Sequence, residues 1–143
     1  MRQIAMVLLT VISGFVWACA HEPSPPAPDL RFPSDLAIQV RLYSHGRVIR
    51  SGHVKGSSAF YANLQSAIRG VNRWQFSVVD YAPILTVDAK SFNINVLRGI
   101  VVVNYPVSKS ANAQVTGVIN AGIYSRLVRL AIAVTKPTEN AKR

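Results

Sequence analysis

Apolar and polar positions alternate along several short segments of the chain, each five to eight residues long. The alternation is clearest in residues 36–43, 74–78 and 91–96, where every second side chain is apolar. This period of two is typical of a strand with one buried and one wet face. Residues 100–105 are nearly all apolar, which is typical of a central strand covered on both faces. Shorter strands are predicted over residues 47–50 and 84–87, the first as the return strand of a hairpin.

A helix is predicted between the second and third strands. Phe60, Leu64 and Ile68 recur at intervals of four, which is helical spacing. Ser57 precedes them and is suited to cap a helix N-terminus, and the helix is expected to extend to about Val71.

The last apolar segment, residues 107–134, has a broad stripe at helical spacing that includes Val115, Ile119 and Leu127. Gly117 and Gly122 weaken a helix there. We favour a helix packed on the sheet, with a strand over residues 123–134 as the alternative.

This order of elements predicts the fold class. Runs of neighbouring strands favour hairpin pairing, so we expect an α+β fold with a small, mostly antiparallel sheet and one or two helices packed on one face. Many unrelated functions occur on such folds, and the architecture alone therefore does not select one.

The N-terminus has the organisation of an export signal. Arg2 supplies a positive charge, residues 4–17 form an apolar run, and small residues surround Cys19, the only cysteine of the chain. The run is shorter than the roughly 20 residues that span a bilayer.

The sequence Val16-Trp17-Ala18-Cys19 resembles the lipobox of bacterial prolipoproteins. The resemblance covers the signal segment only. It implies cleavage before Cys19, acylation of that cysteine and anchoring of the protein to a membrane by its N-terminal lipid. Because Ala20 rather than Asp follows the cysteine, it also implies the outer membrane, facing the periplasm. Ordinary cleavage after Ala18 or Ala20, which gives a soluble product, is the alternative.

Four regions follow from these patterns. Residues 1–18 are the expected signal peptide, and residues 19–34 are the expected lipidated cysteine with a proline-rich tether. Five of the thirteen residues in 21–33 are proline, which favours an extended spacer. Residues 35–135 form a single domain without cysteine, and residues 136–143 are expected to be a flexible polar tail.

Charge is the second signal for function. The chain carries 16 Lys and Arg against six Asp and Glu, a formal net charge of +10. Such a field attracts anions or acidic protein surfaces. Nucleic acid is not an expected partner, because an exported protein does not meet most of it. We predict that one anion-binding or partner-binding patch is formed by Arg41, Tyr43, Arg47, Arg50 and Arg98. The alternative is that these side chains are dispersed and solvated.

The chain offers little catalytic chemistry, and we expect no enzyme activity, no metal and no cofactor. His45 and His53 could share a metal across a hairpin, but neither has another ligand at a suitable spacing. Asp80 and Asp88 could act as an acid and base pair, which leaves a hydrolase as the minor alternative. A turn-capping role for Asp80 and an ion pair of Asp88 with an arginine are expected instead.

These features favour a cell-envelope lipoprotein that binds another protein, as an accessory or assembly factor of a secretion or pilus type machine. Addition of a partner strand to the hairpin near Tyr43 and Arg47, or to the hairpin at Arg98, is the expected binding mode. Two alternatives remain open. One is a periplasmic inhibitor or immunity protein, and the other is a binder of an anionic glycolipid or polymer.

Overall fold

The computed structural model describes residues 37–76, 80–89, 91–108 and 111–139, together with Pro25 and Pro28. The expected signal peptide, Cys19 and most of the expected tether lie outside the described residues. Both described prolines of the tether are buried.

Within the described residues, eight strands form one sheet in which each hydrogen-bonded pair is antiparallel. Their order across the sheet is β3-β7-β6-β5-β4-β1-β2-β8. The strands are β1 (Ile38–Ser44), β2 (Arg47–Val54), β3 (Trp74–Phe76), β4 (Leu85–Ala89), β5 (Phe92–Leu97), β6 (Ile100–Pro106), β7 (Asn112–Val118) and β8 (Lys136–Pro137).

Two helices pack on one face of this sheet and on each other. Helix α1 (Ala59–Arg69) begins at Ser58, whose hydroxyl accepts a hydrogen bond from the Tyr61 amide. Helix α2 (Ala121–Val134) begins at Asn120, whose side-chain oxygen accepts from the Ile123 amide. Each cap satisfies an amide that the first helical turn leaves without a partner.

The hydrophobic core lies between the sheet and the helices. Across β1, β4, β5 and β6 the paired residues Val40, Val87, Ile94 and Val103 are all fully buried. Helix α1 contributes Phe60 and Leu64, and α2 contributes Leu127 and Ala131. The strand residues between these core positions point to the other side of the sheet.

The expected α+β fold with helices on one face is confirmed. The helix expected across residues 107–134 is wrong in its first half, because Asn112–Val118 is strand β7, while Ala121–Val134 is helical. Gly117 explains the difference. A Cβ atom at this position would overlap Val71 Cγ1 and would lie 3.2 Å from the Trp74 ring, so the glycine lets β7 approach the core.

The chain after α2 joins the sheet rather than leaving the domain. Lys136 and Pro137 pair with β2, and the Thr138 amide donates to the Ile49 carbonyl at 3.0 Å. The first three residues of the expected flexible tail are therefore held against β2.

One end of the sheet, which we call the hairpin end, carries two tight turns. Leu42, Leu85 and Val96 pair side by side, so the β1–β2 turn and the β5–β6 turn both lie just beyond this row. His45, Gly46 and Gly99 adopt positive φ angles of 50°, 75° and 85° in these turns. Strands β5 and β6 are paired on both sides, so the expected strand addition at the Arg98 hairpin is wrong.

Candidate functional site

The sheet face opposite the helices is lined by polar side chains. No helix of the described ranges covers this face, which we call the open face. Strand alternation places Arg41, Thr86 and Asn95 in one row across β1, β4 and β5. The next row contains Gln39, Asp88, Asn93, Asn104 and Gln114.

Hydrogen bonds join these side chains into a continuous network. The Arg41 guanidinium donates to Asp88 Oδ2 at 2.6 Å and also to Gln39 Oε1. Asn93 donates to the other carboxylate oxygen of Asp88. Both oxygens of Asp88 therefore accept hydrogen bonds within the protein, although its side chain remains about one-third exposed (33%).

Tyr81 crosses over the open face and completes the network. Its Oη atom accepts from Asn95 at 2.9 Å and from Asn104 at 3.1 Å. Asn95 also donates to Asn93 and accepts from the Thr86 hydroxyl at 2.9 Å. Because a phenol can both accept and donate, the Tyr81 hydroxyl hydrogen remains directed away from these two amide donors.

A shallow cavity of about 570 Å³ opens beside Tyr81 on this face. It is lined mainly by charged, amide and phenol groups, so it suits a polar ligand surface. Its lining residues are Arg41, Tyr43, Asp80, Tyr81, Pro83, Thr86, Asp88, Asn93, Asn95, Asn104 and Gln114.

The structure divides the five residues of the predicted patch among different surfaces. Arg41 and Tyr43 line the cavity of the open face. Arg47 and Arg98 are exposed at the hairpin end. Arg50 pairs with Leu42, a core residue, and so lies on the helix face, opposite Arg41. The five side chains therefore do not form one surface.

Arg50 binds the C-terminal end of α2. Its guanidinium donates to the carbonyl oxygens of Thr135 at 2.6 Å and Ile132 at 3.1 Å, and to Thr135 Oγ1 at 3.3 Å. A cation at this position satisfies carbonyls that the helix leaves without partners. The contacts indicate a role in the fold.

The structure also places the side chains that were considered for catalysis or metal binding. His45 lies in the β1–β2 turn, whereas His53 pairs with Gln39 toward the other end of the hairpin. Within the described ranges, no three His, Cys, Asp or Glu side chains are grouped to hold a metal ion. Asp88 pairs with an arginine, as expected, and Asp80 lines the same cavity.

The residues that sequence reasoning missed are the amides and the tyrosine of the network. The alternation over residues 91–96 marks Asn93 and Asn95 only as polar positions of a strand, and no sequence pattern marks Asn104 or Tyr81. The available signal was the repetition of asparagine on the outward face of residues 91–96. The β5–β6 pairing and the segment that precedes β4 then bring Asn104 and Tyr81 to the same place.

No family model, curated protein or solved structure matches the chain. None of the described helices is long and apolar enough to cross a membrane.

Proposed function

We propose that the protein is a cell-envelope lipoprotein that acts as a non-enzymatic accessory or assembly factor, anchored by an acylated Cys19. Its domain binds a partner protein of the envelope on the open face. The observation that carries the binding surface is the side-chain network around Tyr81. The export signal and the lipobox-like sequence support the anchor and the location.

The network supports recognition because its polar groups are already fixed. Arg41, Asp88 and Asn93 hold one another, and Tyr81 holds Asn95 and Asn104. A partner that binds fixed groups loses less conformational entropy than one that must order mobile side chains. The wide, polar surface suits the polar, hydrogen-bonding rim of a non-obligate protein interface.

The same contacts favour binding over catalysis. Each oxygen of Asp88 accepts a hydrogen bond, one from Arg41 and one from Asn93. A carboxylate that accepts from two neighbouring side chains holds both in fixed orientations. The carboxylate is better arranged to position Arg41 and Asn93 than to react.

A photo-crosslinking amino acid at Gln114, on the open face, tests the binding surface in cells that make the protein. The matched control is the same amino acid at Ala62, an exposed position of α1. We expect a discrete envelope-protein product from Gln114 that is weakened by the added double change Asn93→Ala/Asn104→Ala. Identical products from both positions would contradict the proposal.

The intact mass of the mature protein from membranes tests the anchor separately. We expect a diacylglyceryl group on an N-terminal Cys19 and loss of membrane attachment in Cys19→Ser. An unmodified Cys19 in a soluble product would contradict the lipoprotein proposal, while the crosslinking result would still report on the open face.

A further inference from the structure

Two apolar side chains are exposed side by side at the hairpin end of the sheet. Ile100 and Val118 pair directly across β6 and β7, with 41% and 78% of their surface exposed. They line a cavity of about 490 Å³ together with Ile123 at the start of α2. Exposed apolar neighbours of this kind mark interaction sites more often than isolated ones do.

Arginines surround this apolar pair. Arg98 lies in the turn that precedes Ile100, and Arg73 lines the same cavity as Ile100 and Val118. Arg69 ends α1, immediately before Gly70 of the cavity lining. Arg69, Arg73 and Arg98 are all exposed.

The acidic side chains in the described part of the chain lie elsewhere. Asp88 is paired with Arg41 on the open face, and Asp80 lines the cavity there. Glu139 follows Thr138, which bonds to Val48 and Ile49, so this residue lies beside β2. The three arginines around the apolar pair therefore have no described acidic neighbour.

We propose that the hairpin end docks on an anionic phospholipid surface. Ile100 and Val118 enter the interfacial layer, and Arg69, Arg73 and Arg98 contact lipid phosphates. Apolar side chains bordered by cations match the layered chemistry of a membrane surface, which is apolar beneath a negative headgroup layer.

This docking does not use the acyl chains of Cys19. Strand alternation places Ile100 and Val118 on the same side of the sheet as Asn104 and Gln114, so the docking surface lies at the hairpin end of the open face.

Vesicle co-sedimentation of the full chain tests this proposal. Binding is compared on phosphatidylcholine vesicles and on vesicles in which a third of the lipid is phosphatidylglycerol. The same N-terminal segment is present in the protein added to both vesicle types. The ratio of the two partition coefficients therefore reports how much the anionic lipid contributes to binding. Because each arginine near an anionic surface contributes about fivefold, Arg73→Ser/Arg98→Ser should lower this ratio about 30-fold.

A control variant removes the same net charge from other surfaces. Lys55→Ser/Lys136→Ser changes two exposed lysines away from the apolar pair and should leave most of the ratio intact. Ile100→Ser/Val118→Ser should weaken binding to anionic vesicles with all arginines present. Equal losses from both charge variants, or a wild-type ratio near one, would overturn the proposal and leave an acidic protein as the remaining partner for these arginines.

Discussion

Single residues decide how closely the layers of this domain pack, and Gly117 is the tightest case. We expect Gly117→Ala to lower the free energy of unfolding by about 1–3 kcal/mol, because the new Cβ overlaps Val71 and presses on the Trp74 ring. Chemical denaturation measures this change. Val118→Ala, at the neighbouring exposed position, should be close to neutral, and equal effects at the two sites would contradict the close approach.

The buried phenol of Tyr61 makes the stability of the fold depend on pH in the alkaline range. Burial raises the pKa of its phenol to about 12 from 10.0, because the charged phenolate is poorly solvated in the fold. The neutral phenol is therefore favoured by the native state. The contribution of the neutral Tyr61 phenol to the free energy of unfolding is complete below pH 10 and is lost as the pH rises from 10 toward 12.

The size of this alkaline loss can be measured against Tyr61→Phe. A pKa difference of about two units corresponds to about 3 kcal/mol when both states have titrated. At pH 12 the native phenol is about half ionised, so we expect the wild type to lose about 2 kcal/mol more unfolding free energy than Tyr61→Phe between neutral pH and pH 12. Parallel profiles of the two proteins would show that the Tyr61 phenol ionises equally in the folded and unfolded chains.

At the scale of elements, Arg50 joins the end of α2 to β2. We expect Arg50→Met to lower the free energy of unfolding by about 2 kcal/mol, because the carbonyls of Ile132 and Thr135 lose a charged donor. Arg47→Met, three residues earlier on the same strand and exposed, is the matched control and should be nearly neutral. Equal stability of the two variants would contradict the conclusion that Arg50 stabilises the fold by joining α2 to β2.

The elements could be predicted from the sequence where one periodicity acts alone. The alternation over residues 38–43 and 91–96, and the helical spacing from Phe60 to Ile68, correspond to β1, β5 and α1. The segment from Asn112 to Val118 was assigned to a helix because apolar residues also fall at helical intervals there. Its strand state depends on pairing with β6 and on the space that Gly117 leaves for Trp74, neither of which is a local property.

At the scale of the whole molecule, strand order determines which side chains meet. Arg41 and Arg50 are nine residues apart in one hairpin, yet the alternation and register place them on opposite faces of the sheet. Asn95 and Asn104 are also nine residues apart in one hairpin, yet they share the open face, and the crossing segment brings Tyr81 to both. A sequence pattern identifies outward-facing positions without specifying these neighbours, so the network required the three-dimensional structure.

The same strand order predicts how local stability is distributed over the molecule. Strands β4, β5 and β6 are each paired on both sides, whereas β3 and β8 are edge strands of three and two residues. Short edge strands open by breaking few hydrogen bonds, and central strands open only when the sheet does. Native-state hydrogen exchange should therefore be slowest at the amides of Ile94 and Val103 and much faster at those of Gln75 and Lys136.

Native-state hydrogen exchange in Arg50→Met shows whether the two edges of the sheet open independently. Because Arg50 holds the chain that leads into β8, its loss should speed exchange at Lys136 more than the global loss of stability requires. Strand β3, at the opposite edge, should change only by that global amount. Faster exchange at β3 and β8 to the same extent would mean that the sheet opens as one unit, and that Arg50 stabilises the whole fold rather than the edge beside α2.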